Sequence, residues 1–151
     1  MANVVYNDYK SGLVAGTAGI STGTSSLHCA VLTSGYSIDE THHYSDISPY
    51  IADNGSNKAD QEITGVTVTT TTGSSSADDT VDVKGNTVTW ASSNISGEYA
   101  LVYIAGQTNI PVCVFRFDSV KSSVNGDFSI IWNGSVSDKG TILQLKQASS
   151  S

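Results

Sequence analysis

Leu27-His28-Cys29-Ala30-Val31-Leu32 starts a series of short segments in which apolar side chains recur at every second position. Leu27, Cys29 and Val31 share one face of this segment, while His28, Ala30 and Leu32 share the other. Successive side chains of an extended chain point to opposite sides, so a period of two predicts a β-strand. Val66 and Val68 alternate with threonines across residues 63–72, where Gly65 reads as a bulge. Thr80-Val81-Asp82-Val83, Lys84-Gly85-Asn86 and Thr87-Val88-Thr89-Trp90 together predict a hairpin, with its valines and Trp90 on one face. Residues 99–104 are apolar on both faces and suit a central strand. Residues 112–117 set Cys113, Phe115 and Phe117 against Val112, Val114 and Arg116. Asn125-Gly126 predicts a turn into residues 128–132, where Phe128, Ile130 and Trp132 alternate, and residues 142–145 read as a last strand.

About seven or eight short strands with turn signals between them predict an all-β fold, a β-sandwich or jelly roll. Ahead of them, Asn7 or Asp8 is placed to cap a short helix through Leu13 that Gly16 ends. Residues 1–24 therefore read as an N-terminal arm and linker, residues 25–147 as a single β-sandwich domain, and residues 148–151 as a disordered Ser-rich tail. The polar stretch from Ser34 to Gln61 covers 28 residues. That is long for a connection inside a compact domain, so it is expected to be functional, partly ordered or packed against a partner.

Composition agrees with the strand pattern. Ser and Thr make up about a quarter of the 151 residues, Gly adds 14, and only 14% of the chain is charged. Thr and Val fit a half-buried pleated surface, and Gly and Asn supply turns. The net charge of −7 argues against a nucleic-acid partner, because only seven Lys and Arg are scattered along the chain. An anionic membrane surface is disfavoured for the same reason, and no apolar run approaches the length of a span. Cys29 and Cys113 lie in apolar strand-like runs and read as reduced core thiols. Met1-Ala2-Asn3-Val4-Val5 lacks the basic start and long apolar run of a signal peptide.

Metal-ligand residue types crowd in one place, Glu40-Thr41-His42-His43-Tyr44-Ser45-Asp46. His42, His43 and Asp46 are the metal candidates, with Asp39 and Glu40 beside them. Adjacent residues on a strand face opposite ways, and zinc sites space their histidines and add further ligands. A solvated or interface loop is therefore the preferred reading. No G-x-S-x-G elbow supports a serine nucleophile, and thiols in apolar strands are poor nucleophiles. The acids at Asp78, Asp79 and Asp82, and those at Asp53 and Asp60, read as solvated turns rather than a glycosidase pair. Residues 53–60 are oxygen-rich but lack the spacing of a calcium loop. No catalytic residue and no cofactor is expected. Tyr36, Tyr44 and Tyr50 fall in the long stretch, either as a platform for sugars or as pins that hold it on the sandwich, with pins preferred.

Several stretches, taken in order, resemble a family of small virion proteins of tailed bacteriophages. They are Val5-Tyr6-Asn7-Asp8-Tyr9-Lys10, then Leu27-His28-Cys29-Ala30-Val31-Leu32-Thr33-Ser34-Gly35-Tyr36, then Thr41-His42-His43-Tyr44-Ser45-Asp46-Ile47. Val88-Thr89-Trp90, Tyr99-Ala100-Leu101-Val102-Tyr103 and Gly126-Asp127-Phe128-Ser129-Ile130-Ile131-Trp132-Asn133 follow. The resemblance implies a β-rich structural protein that decorates or cements the capsid shell, with no enzyme activity and no cofactor. The implied partners are the major capsid protein and further copies of this chain in a homo-oligomer, with a trimer favoured. The implied location is the outer surface of the virion, after synthesis in the host cytoplasm without a signal peptide.

The chain departs from that family in two places. Relatives tend to read Thr-His-Asp and an aromatic where Thr41-His42-His43-Tyr44 stands, and Gly-Tyr-x-x-Gly-Gly near Asn57-Lys58-Ala59-Asp60-Gln61. Val4, Val5, Tyr6 and Tyr9 of the arm, with Tyr36, Tyr44 and Tyr50, are the expected partner contacts. Two other classes compete: a tail- or fibre-associated module that binds host glycans through those tyrosines, and a metal-dependent hydrolase built on His42 and His43.

Overall fold

The computed structural model describes residues 3–71, 80–136 and 139–146. The Ser-rich tail expected at 148–151 and the acids Asp78 and Asp79 lie outside these residues. The chain opens with β1 (Asn3–Val5) and α1 (Asn7–Ala15) and passes to β2 (Leu27–Leu32). The long polar stretch holds α2 (Tyr44–Ile47), a 3-10 turn (Ser48–Tyr50), β3 (Asp53–Asn54), β4 (Asn57–Lys58) and the start of β5 (Asp60–Glu62). Then come β6 (Thr67–Thr71), β7 (Thr80–Asn86), β8 (Val88–Ser93), β9 (Ser96–Ile104) and β10 (Ile110–Ser122). β11 (Gly126–Ile130), β12 (Asn133–Val136) and β13 (Lys139–Lys146) complete the order. The fold is all-β, as the period of two predicts. Its strands outnumber the seven or eight expected, because the N-terminus, the long stretch and β12 contribute short ones.

One antiparallel sheet runs β1-β10-β9-β2-β5, and a second runs β12-β13-β7-β6. β11 pairs with β8, and β3 with β4. Because β9 pairs with β10 and β8 with β11, residues 88–104 and 110–130 form one long antiparallel ribbon. The ribbon folds over at Asn94-Ile95 on one strand and Ser123-Val124-Asn125 on the other. Ser92 and Asn125 sit beside the fold with left-handed φ values of 49° each.

Ser93 is wholly buried in this corner. Its Oγ donates to the Gly126 carbonyl at 2.9 Å and lies 2.7 Å from Ser123 Oγ, which in turn accepts the Ile95 N–H at 3.1 Å. With its own proton on Gly126, Ser93 accepts from Ser123, so the buried hydroxyls are satisfied. Folding the ribbon brings its aromatic rings together. The Phe128 ring stands 6.2 Å from that of Trp90 and 6.3 Å from that of Phe117, and Trp132 is 5.9 Å from Phe115.

Two hydrophobic clusters lie on opposite faces of the five-stranded sheet. Leu27, Cys29 and Val31 join Val83, Val88, Trp90, Phe128 and Ile142 in the first. Ala30, Leu32, Tyr99, Leu101 and Val114 lie under Tyr6, Tyr36, Ile47 and Ile51 in the second. Both faces of β2 are therefore covered, with the two residue sets that its alternation separates. Each wholly buried Leu, Ile or Val contributes about 1.5–3 kcal/mol relative to exposure. The long stretch is a fitted cover. Thr33 N–H donates to the Tyr50 carbonyl at 2.9 Å, Ala52 N–H to Val31 at 2.8 Å and Val31 N–H to Ala59 at 2.9 Å. It occupies the place of an edge strand along β2.

Residues 80–90 do not form the expected hairpin. Lys84-Gly85-Asn86 continue β7, which pairs with β13 and β6, while β8 starts in another sheet. Glycine stands at 85 for space and not for a turn. A Cβ there would lie 2.6 Å from Ile63 Cγ2 and 2.9 Å from Ile142 Cδ1. Gly65 is not a bulge either: it turns the chain ahead of β6 at φ 64°, with the Asn86 side chain against it.

The N-terminal segment is no free arm. β1 is an edge strand beside β10, with Asn3 opposite Phe115 and Val5 opposite Cys113. α1 runs past Leu13 to Ala15 and closes at Gly16 with φ 77°, while Tyr6 holds the N-cap position expected of Asn7 or Asp8.

Candidate functional site

The Glu40–Asp46 segment lies over α1 and the outer face of the five-stranded sheet. Asn7 N–H donates to the Glu40 carbonyl at 2.9 Å, and Lys10 Nζ is 3.9 Å from the Glu40 carboxylate. From this anchored backbone the two histidines diverge. His42 Nδ1 lies 3.0 Å from the Tyr36 hydroxyl, which is 2.8 Å from that of Tyr6. His43 Nδ1 lies 3.0 and 2.8 Å from the two carboxylate oxygens of Asp8. Asp46 accepts the His43 backbone N–H at 2.9 Å at the start of α2. Asp39 accepts the Thr41 N–H at 2.9 Å and its hydroxyl at 2.6 Å.

The metal candidates His42, His43 and Asp46 do not converge, because each is engaged by a different part of the chain. Among the described residues no three His, Cys, Asp or Glu side chains gather as a ligand set. The electrostatics follow these contacts. The Asp8 hydrogen bond, and then its charge, raise the His43 pKa above the ordinary imidazole value. The Thr41 hydrogen bonds hold Asp39 below the usual carboxylate range. Burial pushes Tyr6 and Tyr36 up, so both phenols keep their protons.

A second polar cluster, not singled out from the sequence, sits across β5, β2 and β9. Asp60 accepts the Tyr103 hydroxyl at 2.5 Å and lies 3.4 Å from His28 Nδ1. The register sets this up, since His28 lies opposite Tyr103 and Asp60 opposite Ala30. Tyr44 covers the group, with its ring 4.9 Å from that of Tyr103. Burial, and then Asp60, raise the Tyr103 pKa, so it remains a donor to the carboxylate. A signal was present in the sequence: His28 shares its face with Ala30 and Leu32, and a polar group on a covered face needs a partner. Cys29 points to the opposite cluster, where burial raises its pKa, and burial pushes Cys113 up to about 12. Both are buried free thiols.

Three of the expected partner contacts belong to the core. Tyr6, Tyr9 and Tyr36 are at most 2% exposed, because their rings fill the clusters on either side of the sheet. Val4 and Val5 are half-buried in β1, and Tyr44 is half-buried over Tyr103. Tyr50 is 39% exposed, and its ring leans on Tyr36 at 5.6 Å. A sugar platform of Tyr36, Tyr44 and Tyr50 is therefore not formed. These tyrosines hold the long stretch against the sheet.

A different aromatic group opens to solvent. Phe115, Phe117, Phe128 and Trp132 line a cleft of about 670 Å³ between β10 and β11. Its signal in the sequence was the alternation of phenylalanines on two consecutive strands, though nothing there shows that the ribbon folds them together.

Fold and contacts define an all-β protein whose histidines and acids lock a long cover onto its central sheet. No protein-family model, curated protein or solved structure matches the chain.

Proposed function

We propose that this chain is a non-enzymatic structural protein of a tailed-bacteriophage particle, one that decorates and cements the capsid shell. The supporting observation is where the resembling segments fall. They supply Tyr6, Ala30, Leu32, Tyr36, Ile47, Tyr99, Leu101 and Tyr103 of the second hydrophobic cluster. The resemblance thus rests largely on the framework of the sheet and its cover, and the histidines it includes, His42 and His43, are engaged within that framework. The histidines and acids of that stretch are engaged in holding it, which fits a scaffold better than a hydrolase.

A cement protein binds across junctions of the major capsid protein by contact area and copy number, with no need of a pocket. On the outer surface of a shell with local symmetry axes a homo-oligomer is the natural form, and a trimer is our reading. Purified protein added to bare shells should co-sediment with them and raise their resistance to heat and chaotrope. Shells that neither bind the protein nor gain resistance would overturn the proposal.

A further inference from the structure

We infer that the cleft between β10 and β11 is a binding site for a neutral saccharide. The inference does not depend on the capsid reading. It begins with the way this chain sorts its aromatic residues. All three phenylalanines line the cleft together with Trp132, whereas none of the seven tyrosines does. Phe128 and Trp132 are nearly buried and form its floor, at 6% and 4% exposure, while Phe115 and Phe117 are half-buried walls.

The polar groups around these rings fall into two sets. Lys121 is paired with Asp118 at 2.9 Å, and the hydroxyls of Ser122 and Ser129 bond to those of Ser96 and Thr89. The second set is open. Asn3, Asn133 and Thr141 line the cleft with no side-chain hydrogen bond among the described residues. Asp127 engages one carboxylate oxygen with Ser92 N–H at 3.3 Å and leaves the other open.

Two amides, a hydroxyl and a carboxylate oxygen beside aromatic walls select a ligand by chemistry. An anionic ligand finds no unpaired cation here and meets a chain of net charge −7. A wholly apolar ligand would strip water from four polar groups and give them no partner. A pyranose offers a C–H face to the phenylalanine rings and hydroxyls to the amides and the carboxylate. The volume lies within the usual range of small-ligand sites, about 300–1,000 Å³.

The test is a glycan array carrying both neutral and sialylated or phosphorylated glycans. It is followed by an NMR titration of the full chain with the best-retained neutral oligosaccharide. Neutral glycans should be retained and acidic ones not, with shifts confined to the amides of β10 and β11 and those around Asn3, Asn133 and Thr141. Asp127→Asn, at an exposed rim position, and Phe117→Ala should each weaken binding by about tenfold or more, the effect of losing one charge-assisted hydrogen bond or one stacking wall. Tyr50→Ala should bind as the parent does. Retention of no neutral glycan, retention of acidic glycans alone, or binding unchanged in both cleft variants would overturn the assignment. Shell binding is read in a separate assay, so failure of either proposal leaves the other standing.

Discussion

Tyr6 and Tyr36, 30 residues apart, share a 2.8 Å hydrogen bond between hydroxyls inside the second hydrophobic cluster. His42 extends the contact to the loop surface at 3.0 Å from the Tyr36 hydroxyl. One chain of polar contacts thus joins the residue ahead of α1, the turn after β2 and the histidine segment. It passes through an apolar interior, where an unpaired hydroxyl is costly.

Replacing Tyr36 with Phe leaves the Tyr6 hydroxyl and the His42 imidazole without their partner. Urea unfolding should show a loss of about 1–3 kcal/mol. Tyr6→Phe should cost a similar amount. The double variant should cost less than the sum, because it removes both members of the pair.

Ser93→Ala deletes the hydroxyl that bonds Ser123 and the Gly126 carbonyl in the ribbon corner. The same measurement should give a loss of about 1–3 kcal/mol. Amide exchange should quicken first at residues 93–96 and 123–126, where the two strands bend, and last in β2.

Gly97→Ala should be among the least tolerated glycine changes in the ribbon. A Cβ there would stand 2.3 Å from Val31 Cγ1 and 2.7 Å from the Leu32 carbonyl oxygen. The carbonyl belongs to a strand held on both edges, so the backbone must shift, at a cost of about 1–3 kcal/mol or more. A thermal melt of the variant against the parent checks this.

Asp8 raises the pKa of His43, so the folded value lies above the ordinary 6.5. The stabilisation from this pair is therefore fully present below the unfolded value and is lost as pH rises through the folded one. Histidine NMR titration should place His43 above 6.5, and Asp8→Asn should bring it down. The stability difference between parent and Asp8→Asn should shrink as pH rises through the His43 titration.

β2 was legible in the sequence because both of its faces are covered, and its two alternating sets divide between the clusters. α1 was legible in outline from Gly16, whose left-handed conformation closes it. The false hairpin shows the limit. Lys84-Gly85-Asn86 resembles a turn, yet glycine is required there by Ile63 and Ile142, which only the folded chain brings near. The N-terminal segment misled for a similar reason: Tyr6 and Tyr9 become core residues only when β1 meets β10. At the candidate sites, sequence gave the residue types of the histidine segment but not their divergence. That divergence depends on Asp8 and Tyr36, which come from separate elements. The aromatic cleft was hidden because Phe117 and Phe128 meet only after the ribbon folds.

The pairing of Asn3 with Phe115 and Val5 with Cys113 has a consequence for synthesis. During translation β1 is made before every other element described, yet its neighbour in the sheet, β10, follows only after eight further strands. Until the segment around Val114 is made, Val4, Val5 and Tyr6 have no strand to dock on. A ribosome halted ahead of residue 110 would carry a nascent chain with residues 4–6 uncovered, a natural target for chaperones. The synthesis of β10, and not that of β1, would then decide when this segment becomes resistant to protease.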